Sequence, residues 1–251
     1  MVNPSPEDKI KRQMERGKLS SIPKLPERIF FCGYILDEIL ANFPVVETVN
    51  FMHGDKPFYV LDINGKRITV VRPGMGPSAI QFAEEAYALG AREFLVYGSC
   101  GALLEDVSQD RFYLLDGALA GDSCSPYYLG NEDPGQLIKP EKTMNEDLSK
   151  FLRSKNINFS KETAWTTFGF YMQTDELRRN AIKRGAICVD GEMAPMFAFA
   201  NYRKVSCSAL LFWSDITAPG RPYRYRTIEG GKPEFEPIKN LGINLCHWFA
   251  K

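Results

Sequence analysis

Apolar and polar residues recur along this chain with two periods, and the switches between them mark the elements. RIFFCG (28–33) is a short buried strand, followed by YILDEILANF, whose apolar residues fall at helical spacing until Pro44 stops it. FYVLDI and KRITVV flank Asn64-Gly65, the pair best suited to the positive φ angles of a type I′ hairpin turn. RPGMGPSA leads into IQFAEEAYALG, a helix opened by Pro77 and Ser78 and closed at Gly90. FLVYG is a strand that runs into a turn at Gly98-Ser99-Cys100-Gly101, and RFYLLDGALA is the next strand.

Residues 121–140, with Gly, Pro, Asn and Tyr, read as loop, and NEDLSKFLRS as a capped helix beginning near Asn145. KETAWTTFGF, TDELRRNAIKRG, ICVDGEMAPMFAFANY and VSCSALLFW continue the alternation, the last strand ending on Ser214-Asp215, and INLCHWFA is the buried face of a final helix. Strands alternating with helices predict a single α/β domain over residues 27–251, with a mixed central sheet flanked by helices. Residues 1–26, a charged segment punctuated by two prolines in SSIPKLPE, are expected to form an arm outside that core, helical up to Gly17.

Composition narrows the function. Thirty-one basic against thirty-one acidic residues leave no net field for a nucleic acid or an anionic membrane. The first 18 residues have no apolar core of a secretory signal, and the longest apolar runs, such as 205–213, are about half of the roughly 20 residues a membrane helix needs, so a cytoplasmic protein is expected. Six cysteines without a CxxC pair, and only two histidines, make a metal site unexpected; the cysteines read as reduced and structural, with Cys100 of most interest for its place among the glycines.

Glycine after a strand lets backbone N–H groups approach a ligand, and GMG (74–76) and GSCG (98–101) both have that context, although neither has the spacing of a nucleotide fingerprint and each alone reads as plain turn geometry. In VDGEMAPMFAFA, Asp190 and Glu192 stand at the mouth of an otherwise apolar helix, where a carboxylate complements the dipole or serves a site. Asp215 ends a fully apolar strand, a poorly solvated place that raises a carboxyl pKa.

GMGPSA (74–79), LGAREFLVYGSCGAL (89–103), VDGEMAPMFAFA (189–200) and WSD (213–215), in that order, resemble the nucleoside phosphorylase superfamily, which includes purine nucleoside and uridine phosphorylases and nucleoside hydrolases. The 23-residue step from Glu192 to Asp215 is close to that between a ribose-binding Glu and a purine-contacting Asp in the family's bacterial purine enzymes. The resemblance implies cleavage of a nucleoside N-glycosidic bond, purine-leaning, without a cofactor but with inorganic phosphate as co-substrate. It implies that Glu192 accepts from the ribose hydroxyls and that Asp215 donates to the purine N7, where negative charge appears as the base departs. Ser99 would contact phosphate, Cys100 and Gly101 would line the base, Gly191 and Met193 would lie by the sugar, and Phe170 would stack near the nucleoside. Gln173 is similar to a uracil-reading glutamine, one residue short in spacing.

Two departures matter. Val96 stands where the family's purine enzymes carry a phosphate-binding arginine on this strand, and the turn after the first strand offers Gly33 and then Asp37 in place of a second. Arg72, or an arginine from a neighbouring copy in a homodimer or homohexamer, would have to replace them. Glu38 falls where the hydrolase branch places a water-activating carboxylate, so hydrolysis is the alternative; as a residue by itself it reads first as an exposed helix position. His53 would reach a substrate hydroxyl across a subunit boundary, and RPYRYR (221–226) reads as a lid over Asp215 or a solvated loop. A third reading keeps the fold as a nucleoside-binding or storage protein without catalysis; the carboxylates Glu192 and Asp215 argue against it.

Overall fold

The computed structural model describes residues 5–16, 21–50, 56–108, 110–130, 135–225 and 236–251. Its centre is strand β5 (Glu93–Ala102), which pairs on one edge with β10 (Ser206–Ile216) along its whole length and on the other first with β1 (Arg28–Phe31) and then, at its end, with β9 (Ala186–Asp190). From β1 the sheet extends through β4 (Lys66–Val71) and β3 (Phe58–Ile63) to β2 (Val45–Val49). From β9 it continues through β8 (Phe159–Thr166) and β6 (Phe112–Ala120) to β10, so β10–β6–β8–β9–β5 close into a ring. The short β7 (Leu137–Ile138) and β11 (Arg224–Tyr225) pair with β6 and β10. Parallel and antiparallel neighbours are mixed, as the α/β reading requires.

The near-continuous apolar runs are explained by burial on both faces. Along β5, Phe94 and Val96 face a layer made by α3 (Pro77–Ala88) and α7 (Met193–Arg203), whereas Leu95 and Tyr97 face α2 (Leu36–Asn42), α5 (Lys142–Ser154) and α8 (Glu236–Phe249). The first layer also receives Ile10 of α1 (Pro6–Glu15), which contacts α3, so the segment expected as an arm outside the core has one side in it. The hairpin turn forms as read, with Asn64 at φ 55° and Gly65 at φ 78°.

Three local readings are corrected. Residues 98–102 are not a turn: β5 runs on to Ala102 because β10 and β9 continue to pair with it. The stretch 121–140 is not all loop; it holds α4 (Ser125–Leu129) as well as β7. Helix α5 begins at Lys142, where the Glu141 carboxylate accepts from the N–H groups of Thr143 and Met144 at 2.8 and 2.7 Å. Asn145 is therefore inside the helix, buried, donating to the Leu115 carbonyl and accepting from Ser208 Oγ at 2.6 Å. Among the described residues no helix is long and apolar enough to cross a membrane.

Candidate active site

The junction between β9 and α7 separates two acidic residues that look equivalent in sequence. Asp190 is buried, and its carboxylate accepts from Thr166 Oγ at 2.6 Å and from the N–H groups of Glu192 and Met193 at 2.9 and 2.6 Å. Thr166, opposite Asp190 in the β8–β9 register, accepts from the Ala194 N–H at 2.9 Å. Together they satisfy the first donors of a helix whose N-cap residue, Glu192, makes no side-chain capping bond, and Asp190 complements its dipole. Burial still pushes the Asp190 carboxyl up to about 6.

Glu192 is thereby released from capping. Its side chain turns away from its own helix and accepts from the Gly76 N–H at 2.7 Å. Gly76 has φ 59° and ψ −130°, a conformation open to glycine, and a Cβ there would stand 3.3 Å from the Phe168 ring. The GMG turn thus has a specific task. Burial and the neighbouring Asp190 charge push the Glu192 carboxyl up to about 7, against the pull of the Gly76 and Gly191 N–H groups.

Asp215 owes its direction to a bulge. Trp213 pairs with Cys100 and Asp215 with Gly101, so Ser214 is an extra residue in β10. The insertion moves Asp215 off the Trp213 face and onto that of Gly101 and Val189, which are paired across β5 and β9. A Cβ on Gly101 would lie 3.0 Å from the Asp215 carboxylate and 3.0 Å from Val189, so glycine is required here for approach rather than for turning. Asp215 is 9 % exposed and accepts from Ser214 Oγ at 2.6 Å. Burial raises its pKa, while bonds from the Ser214 and Tyr223 hydroxyls and the charge of Arg178 lower it. Tyr223 and β11 belong to the RPYRYR stretch, and Tyr225 pairs with Asp215; that stretch is described as far as Tyr225.

The other sequence candidates divide. Because β9 runs antiparallel to β5 with Val189 opposite Gly101, Asp190 and Gly191 lead back along Cys100 and the half-buried Ser99. Gly191 lies beside Gly76, 3.9 Å from its nitrogen at the Cβ position. Gly33 and Arg72 follow β1 and β4, whose last residues Phe31 and Val71 are paired; Arg72 donates to the Gly33 carbonyl and to Asp37, both at 2.9 Å. Cys100 is buried, its thiol donating to the Phe212 carbonyl at 3.6 Å, and burial pushes its pKa well up. Met193 is 2 % exposed, packed in the α3/α7 layer. Glu38 is held by Lys239 of α8 at 3.1 Å. Phe170 is 55 % exposed and packs edge-on against Tyr171, whereas Phe168 is the ring that borders Gly76; Gln173 is half-buried just beyond. His53 lies outside the described residues.

Sequence reasoning reached Tyr223 only within the RPYRYR stretch read as a lid over Asp215, and missed Ser214 and Arg178, which act on Asp215, Thr166, which bonds Asp190, and Phe168, which borders Gly76. Among the described residues no group of three or more His, Cys, Asp or Glu side chains could hold a metal ion.

Comparison with known proteins gives the family and the fold. The chain is 23 % identical over 233 residues to a DeoD-type purine nucleoside phosphorylase of Myxococcus xanthus, covering 92 % of this chain and 94 % of that one. It is 26 % identical over 184 residues to a DeoD-type 2 purine nucleoside phosphorylase of Vibrio vulnificus, covering 72 % and 75 %. The fold superposes with a TM-score of 0.71 on the purine nucleoside phosphorylase of Toxoplasma gondii solved with immucillin-H, at 16 % identity and 91 % coverage of both chains. The model of the phosphorylase superfamily matches residues 30–231, and the chain belongs to that superfamily.

Proposed function

We propose that this protein cleaves the N-glycosidic bond of a purine nucleoside by phosphorolysis, giving free base and sugar 1-phosphate. The observation that carries the reading is the release of Glu192: with α7 capped by Asp190 and Thr166, its carboxylate is left for a ligand with one N–H group to orient it. Glu192 accepts from the sugar 2′- and 3′-hydroxyls. Asp215, whose raised pKa favours a retained proton, gives that proton to N7 as the C1′–N9 electron pair moves onto the base and a phosphate oxygen bonds to C1′. The names of the relatives support the purine assignment.

Phosphate binds at the rim of Ser99, Gly33 and Arg72. The Arg72–Asp37 pair is exposed, 45 % and 79 % at the side chains, and such pairs contribute only about 0–1 kcal/mol, so a dianion can displace Asp37 as the partner. A neighbouring copy, in a homodimer or homohexamer, supplies the positive charge that Val96 cannot. The enzyme works in the cytoplasm and takes no cofactor besides inorganic phosphate as co-substrate. Hydrolysis through Glu38 is disfavoured because Lys239 already holds that carboxylate. The test is a panel of purine and pyrimidine nucleosides incubated with and without phosphate, with base and sugar products separated by chromatography. Sugar 1-phosphate formed only with phosphate is the expected result; free sugar at the same rate without phosphate overturns phosphorolysis, and no base released overturns the reading.

A further inference from the structure

We propose that Arg178 reads position 6 of the purine, donating from Nε to a carbonyl oxygen and so selecting 6-oxo over 6-amino nucleosides. The inference rests on the reading above, in which Asp215 holds N7, the atom next to position 6 on the same edge of the base. Arg178 lies on α6 (Asp175–Lys183), one helical turn before Ala181, which is buried with Val189 and Trp165. That face of α6 therefore looks toward the side of the ring on which Val189, Gly101 and Asp215 meet. The turn after β10 packs on the same part of the helix: a Cβ on Gly220 would stand 3.6 Å from Arg179 and 3.9 Å from Asp175.

Arg178 is 20 % exposed at its side chain, and its charge reaches Asp215 without a salt bridge between them among the described residues. Nη1 makes a long contact with Asp175 at 3.4 Å. Nε is buried and, among the described residues, has no hydrogen-bond partner. A buried guanidinium N–H without an acceptor is costly, and an acceptor supplied by the ligand removes that cost. A 6-carbonyl is such an acceptor, and it gains negative charge as the base departs. A 6-amino group presents N–H donors at the same place, which a guanidinium, having no acceptor, repels.

The experiment measures kcat/KM for inosine and adenosine with saturating phosphate in the wild type, Arg178→Met and Arg178→Lys. A hydrogen bond to a charged donor corresponds to roughly 10- to 100-fold in discrimination, so the wild type prefers inosine and the inosine-to-adenosine ratio falls by about that factor in R178M. R178K, which keeps the charge and loses the Nε donor, falls between. An unchanged ratio in R178M, or a wild type that prefers adenosine, overturns the inference while leaving the glycosidase reading intact. A wild type that releases base from neither nucleoside overturns the reading itself, and the inference with it. Should R178M fail to fold, calorimetric binding of hypoxanthine and adenine to the wild type and R178K decides: R178K is expected to lose about 10-fold more affinity for hypoxanthine than for adenine, and equal losses refute the role.

Discussion

Glu192 makes stability and activity respond to pH in opposite directions, and Glu192→Gln isolates the effect. The substitution keeps an oxygen to accept from Gly76 and removes the titration. The Glu192 carboxyl is raised from 4.5 to about 7 in the fold. Between those values the native state holds a proton that the unfolded chain has released, so stability falls as pH rises through the window and stays low above it. At 1.36 kcal/mol per pKa unit the full effect is about 3 kcal/mol above pH 8, about 2 kcal/mol at pH 6 and under about 1 kcal/mol at pH 5. Asp190 titrates in both proteins, so its contribution largely cancels in the difference. Urea denaturation of wild type and E192Q from pH 5 to 8 should show the wild type losing about 2–3 kcal/mol relative to the variant as pH rises. Over the same range the wild-type kcat/KM should rise toward pH 7, because the ionised carboxylate is the stronger acceptor for sugar hydroxyls. A stability difference that stays constant within about 0.5 kcal/mol from pH 5 to 8 refutes the assignment of a raised pKa to Glu192.

Gly101→Ala places a methyl 3.0 Å from both the Asp215 carboxylate and Val189, so it should cost about 1–3 kcal/mol in urea denaturation and lower kcat; a variant of wild-type stability and rate contradicts the close approach. Asp215→Asn should lower kcat for purine nucleosides about 10²- to 10⁴-fold with a much smaller change in binding, and equal turnover removes the proposed acid. Arg72→Ala should raise the KM for phosphate about 10-fold while the melting temperature stays nearly constant, since the Asp37 pair is exposed; an unchanged KM places the anion elsewhere. A thiol-exchange reagent should titrate Cys124 rapidly in the native protein and the five buried cysteines only after denaturation; rapid reaction of Cys100 contradicts its burial and raised pKa.

Most of the fold was legible because its signals are local. The Asn64-Gly65 hairpin, the Pro77 start of α3 and the apolar strands β5 and β10 each follow from neighbouring residues alone. The misread places depend on partners distant in sequence. Gly98–Gly101 resembles a turn until β10 and β9 are known to pair with it, and Asn145 resembles a cap until Leu115 and Ser208 claim its amide. The site shows the same division. Glu192 and Asp215 stood out as carboxylates in apolar surroundings, but Thr166, Phe168 and Arg178 carry no sequence mark, since each acts through a residue on another strand or helix.

The two carboxylates are made available by one general device, a local irregularity that frees a charged side chain from the element that carries it. At the start of α7 the donors that Glu192 would cap are taken by Asp190 and Thr166, and a positive-φ glycine offers Glu192 a different partner. In β10 strict alternation would place Asp215 on the face of Trp213, among the apolar side chains of the α3/α7 layer, where an ionised group has no donor to receive. The extra residue Ser214 reverses that face and supplies a hydroxyl to the carboxylate it redirects. Gly101 then leaves room opposite, and Tyr223 of the following segment completes the shell of donors. Each irregularity turns a carboxylate, Asp215 buried and Glu192 half-buried, toward a donor outside the element that carries it.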